Sequence, residues 1–364
     1  GVVLLEANTA PLTLREILRQ PDSWRQSTEV VSALSDEWLK LIEKSTPDIF
    51  LFTGCGTSYY LAIAAAGVFQ EETGLPARAV PASELILSSA THLPAGQKSV
   101  LNAFSRSGET TETLVAVKKH AGESQGPVVA VTCRTGSAME EAADLSVVLP
   151  AADDQSVVMT SSFTSMLLAA ELLGAYLVRD EELLHQLNEL PSRLSAQLEE
   201  QRRLGEVVGR SSSYRQFIFL GLGPFFGLAS EAMLKLKEMT QVPSETYSPL
   251  EFRHGPISIV GEGTLAVLLA SERAAIQERA VLKDIRRLGG TTLRVAGEVQ
   301  QEEGNLAFGV GADLSEAARG LLYLPLLQAT AYYRAIELGR DPDRPQHLTR
   351  VVVLSEASLL AGHE

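Results

Sequence analysis

Two segments of the chain repeat one pattern of apolar residues followed by two spaced glycines. Residues 50–56 read FLFTGCG and residues 217–223 read FIFLGLG, an offset of 167 positions. The same offset pairs Glu84 with Glu251, and an offset of 166 pairs Ser105 with Ser271. A repeat of this length predicts two tandem copies of one domain, and 364 residues is enough chain for both.

Short apolar runs alternate with helical stretches inside each copy. In the first copy the runs fall at residues 48–53, 78–81, 99–104, 128–132 and 145–149. Runs of this length, separated by segments that can form helices, are typical of strands buried in a parallel sheet. We therefore predict the α/β class, with each copy a doubly wound, flavodoxin-like parallel sheet flanked by helices.

The sequence divides into four parts. An apolar helical stripe interrupted by Pro21 comes first, and a charged helical stretch containing Pro191 connects the two copies. We predict an N-terminal helical segment at residues 1–45, a first domain at 46–185, a second domain at 205–342 and a C-terminal tail at 343–364.

Charge and cysteine content argue against several classes of protein. The formal net charge of −14 repels nucleic acid, so we expect no nucleic-acid partner. Cys55 and Cys133 are too few for a disulfide framework, and the chain has no His-Glu-x-x-His motif. We therefore predict no metal, no cofactor and a cytoplasmic location. We expect no membrane span and no signal peptide, because the chain lacks long uninterrupted apolar runs.

Residues 105–110 (Ser-Arg-Ser-Gly-Glu-Thr) follow an apolar run and open a helical stretch. A helix N-terminus presents unpaired N–H groups, and Gly108 allows a ligand to approach the backbone. Hydroxyls on Ser105, Ser107 and Thr110 surround this turn, and such a cup can bind phosphate with little net positive charge. Helix capping by one of these hydroxyls is an equal alternative.

A second turn, residues 54–58 (Gly-Cys-Gly-Thr-Ser), follows the first apolar run. It resembles the start of a dinucleotide fingerprint, but Tyr59 stands where that motif has its third glycine. We therefore interpret it as a tight strand-to-helix turn lined by Thr57 and Ser58. Ligands of open α/β sheets bind at the carboxyl ends of strands, so this turn and residues 105–110 are expected to face one pocket.

Consecutive hydroxyl residues also open the long helix predicted between residues 160 and 180. Helix capping accounts for one hydroxyl. A second polar wall of the pocket would account for the others, so Thr160 and Ser161 are candidate substrate-binding residues.

Glu231, Lys235 and Glu238 recur at helical spacing, which places them on one helix face after the second glycine pair. A solvated Glu–Lys pair is the commoner explanation of such spacing. Residues 251–256 (Glu-Phe-Arg-His-Gly-Pro) follow, with His254 before a sharp Gly-Pro turn. A histidine near a Glu–Lys face is a candidate for acid–base chemistry.

Together these motifs resemble the sugar isomerase (SIS) superfamily, in its form with two SIS domains. The resemblance runs from Leu14 to Leu354. The match to the isomerase half of glucosamine-6-phosphate synthase is carried by residues 55–58, 105–110, 234–238 (Leu-Lys-Leu-Lys-Glu) and 254–256 (His-Gly-Pro). Two further segments resemble the stand-alone tagatose-6-phosphate isomerase-like proteins and SIS-type amino-sugar-6-phosphate deaminases, namely residues 159–164 (Met-Thr-Ser-Ser-Phe-Thr) and 16–21 (Glu-Ile-Leu-Arg-Gln-Pro).

The resemblance implies a role for each candidate. Glu238 would move a proton between C1 and C2, with Lys235 near the enediol oxygen. His254 would assist ring opening and, as in the synthase, would be contributed across a homodimer interface. The phosphate and sugar hydroxyls would be held by the remaining candidates, namely Thr57, Ser58, Ser105, Arg106 (a glutamine in the synthase), Ser107 and Thr110.

The chain departs from the synthase in two respects. The synthase has a Schiff-base lysine in an Asn-Leu-Ala-Lys segment, where this chain has residues 347–350 (His-Leu-Thr-Arg). Arg350 stays protonated and does not form an imine, so we expect an enediol or enolamine route through Glu238. No glutaminase segment with a nucleophilic cysteine precedes the repeat, so we expect no ammonia supply from glutamine.

The resemblance therefore implies an aldose–ketose isomerase or deaminase that converts glucosamine 6-phosphate or galactosamine 6-phosphate to a ketohexose 6-phosphate. Its expected partners are a phosphorylated amino sugar or ketose and a second copy of the chain. A deglycase acting on a phosphorylated fructosamine is an alternative that pocket size would separate. A non-catalytic sugar-phosphate sensor is another, in which Glu238 and His254 would be idle.

Overall fold

The computed structural model of the chain describes residues 11–123, 125–299, 306–356 and 359. These residues form two compact units. The first unit contains the described residues of 22–155, 161–188 and 349–364, and the second contains those of 1–21, 156–160 and 189–348.

The sheet of the first unit has five parallel strands in the order β2-β1-β3-β4-β5. In chain order the elements up to the end of this sheet are α1 (Leu12–Leu18), α2 (Gln20–Ser45), β1 (Ile49–Gly54), α3 (Thr57–Thr73), β2 (Ala77–Pro81), α4 (Ala82–Leu87), α5 (Ser89–His92), β3 (Ser99–Ser105), α6 (Thr111–Gly122), β4 (Val128–Thr132), α7 (Ala138–Glu141) and β5 (Leu145–Val148).

The three central strands of this sheet are buried along their whole length. Every residue of β1, β3 and β4 is buried. This is the burial expected when helices cover both faces of a parallel sheet, and it explains why the strands read as mainly apolar runs. One cluster of the core joins Leu51, Leu101 and Val128 of the strands to Val117 and Met139 of the helices.

The sheet of the second unit has five parallel strands in the order β10-β9-β8-β6-β7. The remaining helices and strands of the chain are α8 (Ser161–Val178), α9 (Glu181–Arg210), β6 (Gln216–Gly221), α10 (Pro224–Thr240), β7 (Ser244–Tyr247), β8 (Thr264–Leu269), α11 (Ala275–Arg287), β9 (Thr291–Ala296), β10 (Leu306–Gly309) and α12 (Glu316–Glu337).

The two sheets have the same strand order when each is numbered along its own copy, 2-1-3-4-5. This is the flavodoxin-like order of doubly wound folds, so the predicted fold class is confirmed. In the first unit β2 lies on one side of β1 and β3 on the other, so the order in which strands are added changes sense between β1 and β3. In the second unit the order changes sense in the same way between β6 and β8. The carboxyl ends of these strands are where ligands bind in such folds.

The first helix of the described residues, α1, packs in the second unit. In the second unit, Ile17 of α1 packs in an apolar cluster with Tyr332 and Tyr333 of α12. The carboxylate of Asp343 accepts hydrogen bonds from the backbone N–H groups of Leu12 and Thr13, both at 2.8 Å, and so caps α1. The predicted N-terminal helical segment therefore consists of two helices, with α1 in the second unit and most of α2 in the first.

One helix among the described residues, α8, is long and apolar enough to cross a membrane. The protein itself buries 83% of that helix. Such burial is typical of a central core helix, and the run of hydroxyl residues at its start fits a packed interior better than lipid.

Candidate functional site

The turn after β3 in the first unit is shaped by one glycine. Gly108 has a φ of 66°, a conformation that L side chains rarely adopt. A Cβ at this position would lie 2.2 Å from Oγ and 2.4 Å from Cβ of Ser137. The backbone N–H of Met139 donates to the Gly108 carbonyl at 3.1 Å, so the turn packs directly on the start of α7.

The predicted hydroxyls of this turn are brought together. Oγ of Ser105 lies 3.2 Å from Oγ1 of Thr110 and accepts from the Gly108 N–H at 3.1 Å. Oγ of Ser107 accepts from the Glu109 N–H at 3.1 Å. Thr110 precedes α6 as its N-cap residue, yet its side chain makes no capping hydrogen bond. Capping therefore does not explain the Thr110 hydroxyl, and the arrangement can present hydroxyls and N–H groups to an anion.

The same turn contains a buried arginine between Ser105 and Ser107. The Arg106 side chain is buried and donates from Nη2 to the Arg350 carbonyl at 2.8 Å. Burial lowers the pKa of Arg106, and the nearby Arg350 lowers it further, whereas Asp154 and Asp153 raise it. The Arg350 guanidinium in turn pairs with Asp153 at 2.8 Å. The first unit thus brings two guanidiniums together with two carboxylates, so their charges balance.

The turn after β1 lies next to that after β3, because β1 and β3 pair in parallel with Thr53 opposite Ala103. Thr57 and Ser58 begin α3 and are both buried. Between them and the strand, Cys55 contacts Oγ1 of Thr113 at 3.6 Å. Burial raises the pKa of Cys55 to about 11, so its thiol stays protonated at neutral pH and does not serve as a nucleophile.

Thr160 and Ser161 are both completely buried, but they belong to different units. In the second unit the Thr160 carbonyl accepts from Nε2 of Gln328 at 3.2 Å. In the first unit Ser161 is the first residue of α8, and its carbonyl accepts from Oγ1 of Thr164 at 3.2 Å. Their role as a polar wall of a ligand pocket stays a prediction.

Three charged residues on α10 of the second unit form a buried cluster. Nζ of Lys235 lies 3.4 Å from the Glu231 carboxylate and 2.5 Å from that of Glu238. The lysine side chain is 1% exposed and that of Glu231 0%, whereas that of Glu238 is 20% exposed. A solvated pair, the commoner explanation of the spacing, is therefore wrong here. Glu238 is the member of the cluster that a ligand can reach.

Electrostatics keep this lysine charged. Burial lowers the pKa of Lys235, but attraction by Glu231 and Glu238 outweighs it, so the pKa lies above its ordinary value. A permanently charged lysine anchors the Glu238 carboxylate and presents a cation beside any negative charge that forms there.

His254 lies on the loop between β7 and β8. It follows the short 3₁₀ helix Glu251–Arg253, and Gly255 beside it has a φ of 116°. The His254 side chain is exposed and makes no hydrogen bond or ion pair with any residue that the structure describes. Arg253 anchors the loop through a 2.6 Å ion pair with Asp284.

The turn after β8 in the second unit is built differently from its counterpart after β3. Oγ of Ser271 donates to the Glu316 carboxylate at 2.9 Å, and its backbone N–H donates to the buried Glu278 carboxylate at 3.0 Å. Burial raises the pKa of Glu278 to about 7, although the Ser271 N–H and Arg294 lower it in part. The repeat pairs Ser271 with Ser105, but nothing in the sequence signals the two carboxylates that accept hydrogen bonds from Ser271.

Glu278 makes the stability of the second unit depend on pH. Its folded-state pKa lies above the unfolded value of 4.5, so its contribution is complete below that value and is lost as pH rises through about 7. We expect wild-type stability, measured by urea unfolding, to fall by roughly 2–3 kcal/mol relative to Glu278→Gln between pH 5 and pH 8. If the difference in free energy of unfolding between the two proteins were the same at both pH values, the assignment would be contradicted.

Within the residues that the structure describes, no group of three or more His, Cys, Asp or Glu side chains could hold a metal ion.

A family model described as the SIS domain matches residues 45–176 and 212–303. The two matches fall on the two sheets and together span more than half of the chain. The chain belongs to the SIS domain family.

Named relatives of this chain act on sugar phosphates. A glucosamine-6-phosphate deaminase from Thermotoga maritima has 29% identity and a TM-score of 0.78, covering 94% of this chain and 100% of that one. A tagatose-6-phosphate ketose/aldose isomerase from Escherichia coli shares the fold, with a TM-score of 0.86 at 24% identity over 96% of this chain and 97% of that one.

A longer relative is the isomerizing glutamine–fructose-6-phosphate aminotransferase of Brucella abortus. It is 30% identical over 328 residues, which is 86% of this chain and 53% of that protein. The chain thus spans about half the length of the curated relatives that it matches.

Proposed function

We propose that this chain is an aldose–ketose isomerase that deaminates an amino-sugar 6-phosphate, glucosamine 6-phosphate or galactosamine 6-phosphate, to a ketohexose 6-phosphate. The observation that carries the proposal is the α10 cluster: a reachable Glu238 carboxylate held by a buried, charged Lys235. A carboxylate positioned in this way suits a base that moves a proton between adjacent carbons. The named relatives that act on sugar phosphates support the substrate class.

The phosphate is assigned to the turn after β3. Hydroxyls of Ser105, Ser107 and Thr110 gather there at a helix N-terminus. Arg106 and Arg350 supply guanidinium donors in the same unit, with Asp153 and Asp154 balancing their charge. In a chain of net charge −14, these local donors supply the attraction that overall charge does not.

Glu238 carries the proton transfer. In the open-chain amino sugar it removes the C2 proton while the C1 carbonyl oxygen takes a proton from water, which gives an enolamine. C1 then takes the proton back from Glu238 and becomes a CH2OH group. The C2–N bond becomes an imine, water adds to it, and ammonia leaves as the C2 carbonyl forms. His254 is assigned to ring opening, Lys235 to the enolamine oxygen, and Thr57, Ser58, Thr160 and Ser161 to sugar contacts.

The same shuttle on a plain sugar phosphate interconverts aldose and ketose. Arg350 corresponds to the imine-forming lysine of the synthase and cannot take that role, because a guanidinium stays protonated. We infer a cytoplasmic homodimer in which His254 acts across the interface, and the exposure of its unpartnered side chain among the described residues supports this.

Four assays run in parallel test the proposal. Ammonia release is measured from glucosamine 6-phosphate and galactosamine 6-phosphate, and isomerisation from tagatose 6-phosphate and fructose 6-phosphate. We expect ammonia from one amino sugar, which names the epimer. Isomerisation without ammonia would reduce the function to a plain isomerase. No turnover of any of the four would contradict the proposal and favour a deglycase or a sensor.

A further inference from the structure

A cavity of about 280 Å³ lies at the carboxyl ends of β8 and β9, within the second unit. Its volume is close to the lower end of small-molecule sites, roughly 300–1,000 Å³. None of the residues assigned above to the proposed reaction lines it. The polar side chains that do are Ser271, Glu272, Arg279, Arg294, Glu298 and Arg319.

The repeat shows how this place differs from the hydroxyl turn of the first unit. At the offset that pairs Ser271 with Ser105, Ala274 and Ile276 stand where the first copy has Gly108 and Thr110. The remaining donors of the turn are used internally, since Ser271 donates to Glu316 and Glu278. A ligand here must therefore be held by other groups, and the cavity supplies three arginines.

Arg319 is the buried member of the three, with a side chain that is 1% exposed. Its Nη1 donates to the Leu314 carbonyl at 3.0 Å and pairs with Glu272 at 2.8 Å. Among the described residues its Nε and Nη2 have no hydrogen-bond acceptor, and Nη2 lies 3.6 Å from the Glu316 carboxylate. Buried donors without acceptors are unfavourable, so an anion in the cavity would be stabilised.

The position of Arg319 depends on a close approach to the backbone. A Cβ on Gly297 would lie 2.9 Å from Nη1 of Arg319. Gly297 follows β9 and lines the cavity, so the absence of a side chain there leaves room for the guanidinium.

The other two arginines are available to a ligand. Arg279 is exposed and makes no hydrogen bond or ion pair with the described residues. Arg294 is half-buried and donates from Nη1 to the Glu298 carbonyl at 3.0 Å. The acids that line the cavity are exposed, Glu272 at 69%, so they can turn to solvent when an anion enters.

We propose that this cavity is a second anion site, separate from the hydroxyl turn of the first unit, and that it binds the phosphate group of a small organic phosphate. Three guanidiniums reach it from three different elements, α11, β9 and α12. A phosphate offers oxygens in several directions and can accept from all three, whereas a carboxylate offers only two oxygens.

Calorimetric titration with inorganic phosphate at constant ionic strength tests the site. The proteins are wild type, Arg279→Ala/Arg294→Ala, Arg279→Ala alone, Ser107→Ala/Thr110→Ala and Arg287→Ala. Arg287 is the matched control, because it lies on the same helix, pairs with Asp284 and does not line the cavity. We expect two phosphate-binding events in wild type and in the control.

The double arginine variant should weaken one event by roughly tenfold per arginine removed, and the Ser107/Thr110 variant should weaken the other. Arg279→Ala alone gives the smaller loss if the double variant fails to fold. The site is disproved by a single event in wild type that only the Ser107/Thr110 variant weakens, or by arginine variants that titrate like Arg287→Ala. These titrations do not measure turnover. A failure of the proposed function in the activity assays can therefore be distinguished from a failure of this second anion site.

Discussion

Glu238→Gln is expected to lower turnover of the amino-sugar 6-phosphate by about 10²–10⁴-fold, the usual contribution of a general base. The amide has the size of the carboxylate but does not accept the C2 proton. Binding should persist, because the phosphate is assigned to the hydroxyl turn of the first unit. The direct measurement is the loss of deuterium from C2 of labelled substrate, whether it appears at C1 or in water, beside thermal stabilisation by the same sugar phosphate.

Glu231→Gln is the matched control for this variant. It also removes one carboxylate from Lys235, but the Glu231 side chain is completely buried and the carboxylate of Glu238 remains. We expect a lower unfolding temperature and a much smaller loss of turnover, because the exposed base is intact. If substrate lost deuterium from C2 in Glu238→Gln at the wild-type rate, Glu238 would have no part in the proton transfer.

The sheets were predictable because their burial leaves a direct trace in the sequence. Strands covered on both faces are mostly apolar along their length, so β1, β3 and β4 appear as short, mainly apolar runs. The repeat then carried the prediction to the second copy. The common face of Glu231, Lys235 and Glu238 followed from helical spacing alone. Their burial did not, since it depends on how α10 packs within the second unit.

Pairings between distant parts of the chain were not predictable. Arg350 pairs with Asp153, and Asp343 caps α1, across 197 and 330 residues of sequence. Periodicity reports only which face of an element is apolar, whereas these contacts depend on where the chain ends return to the fold. The hydrogen bond from Ser271 to Glu316 was not predictable for the same reason. The repeat indicates the serine but not the carboxylate, which comes from α12.

Gly108→Ala is expected to abolish phosphate binding at the hydroxyl turn and to lower stability. Two costs add: about 1–2 kcal/mol for an alanine at positive φ, and about 1–3 kcal/mol for the overpacked contact with Ser137. The new Cβ would lie 2.2 Å from Oγ of Ser137, a buried residue that caps α7, so the turn itself must move. Urea unfolding and phosphate titration measure the two effects.

Gly136→Ala isolates the backbone cost, because Gly136 has a φ of 71° and a Cβ there would meet nothing within 4 Å. Its free energy of unfolding should fall only by the first of the two amounts, and its phosphate binding should persist. Ser137→Gly in the Gly108→Ala background removes both atoms of the close contact and should restore part of the binding. Equal loss of binding in Gly136→Ala and Gly108→Ala would mean that backbone strain in this region, rather than the shape of the turn at Gly108, controls the phosphate site.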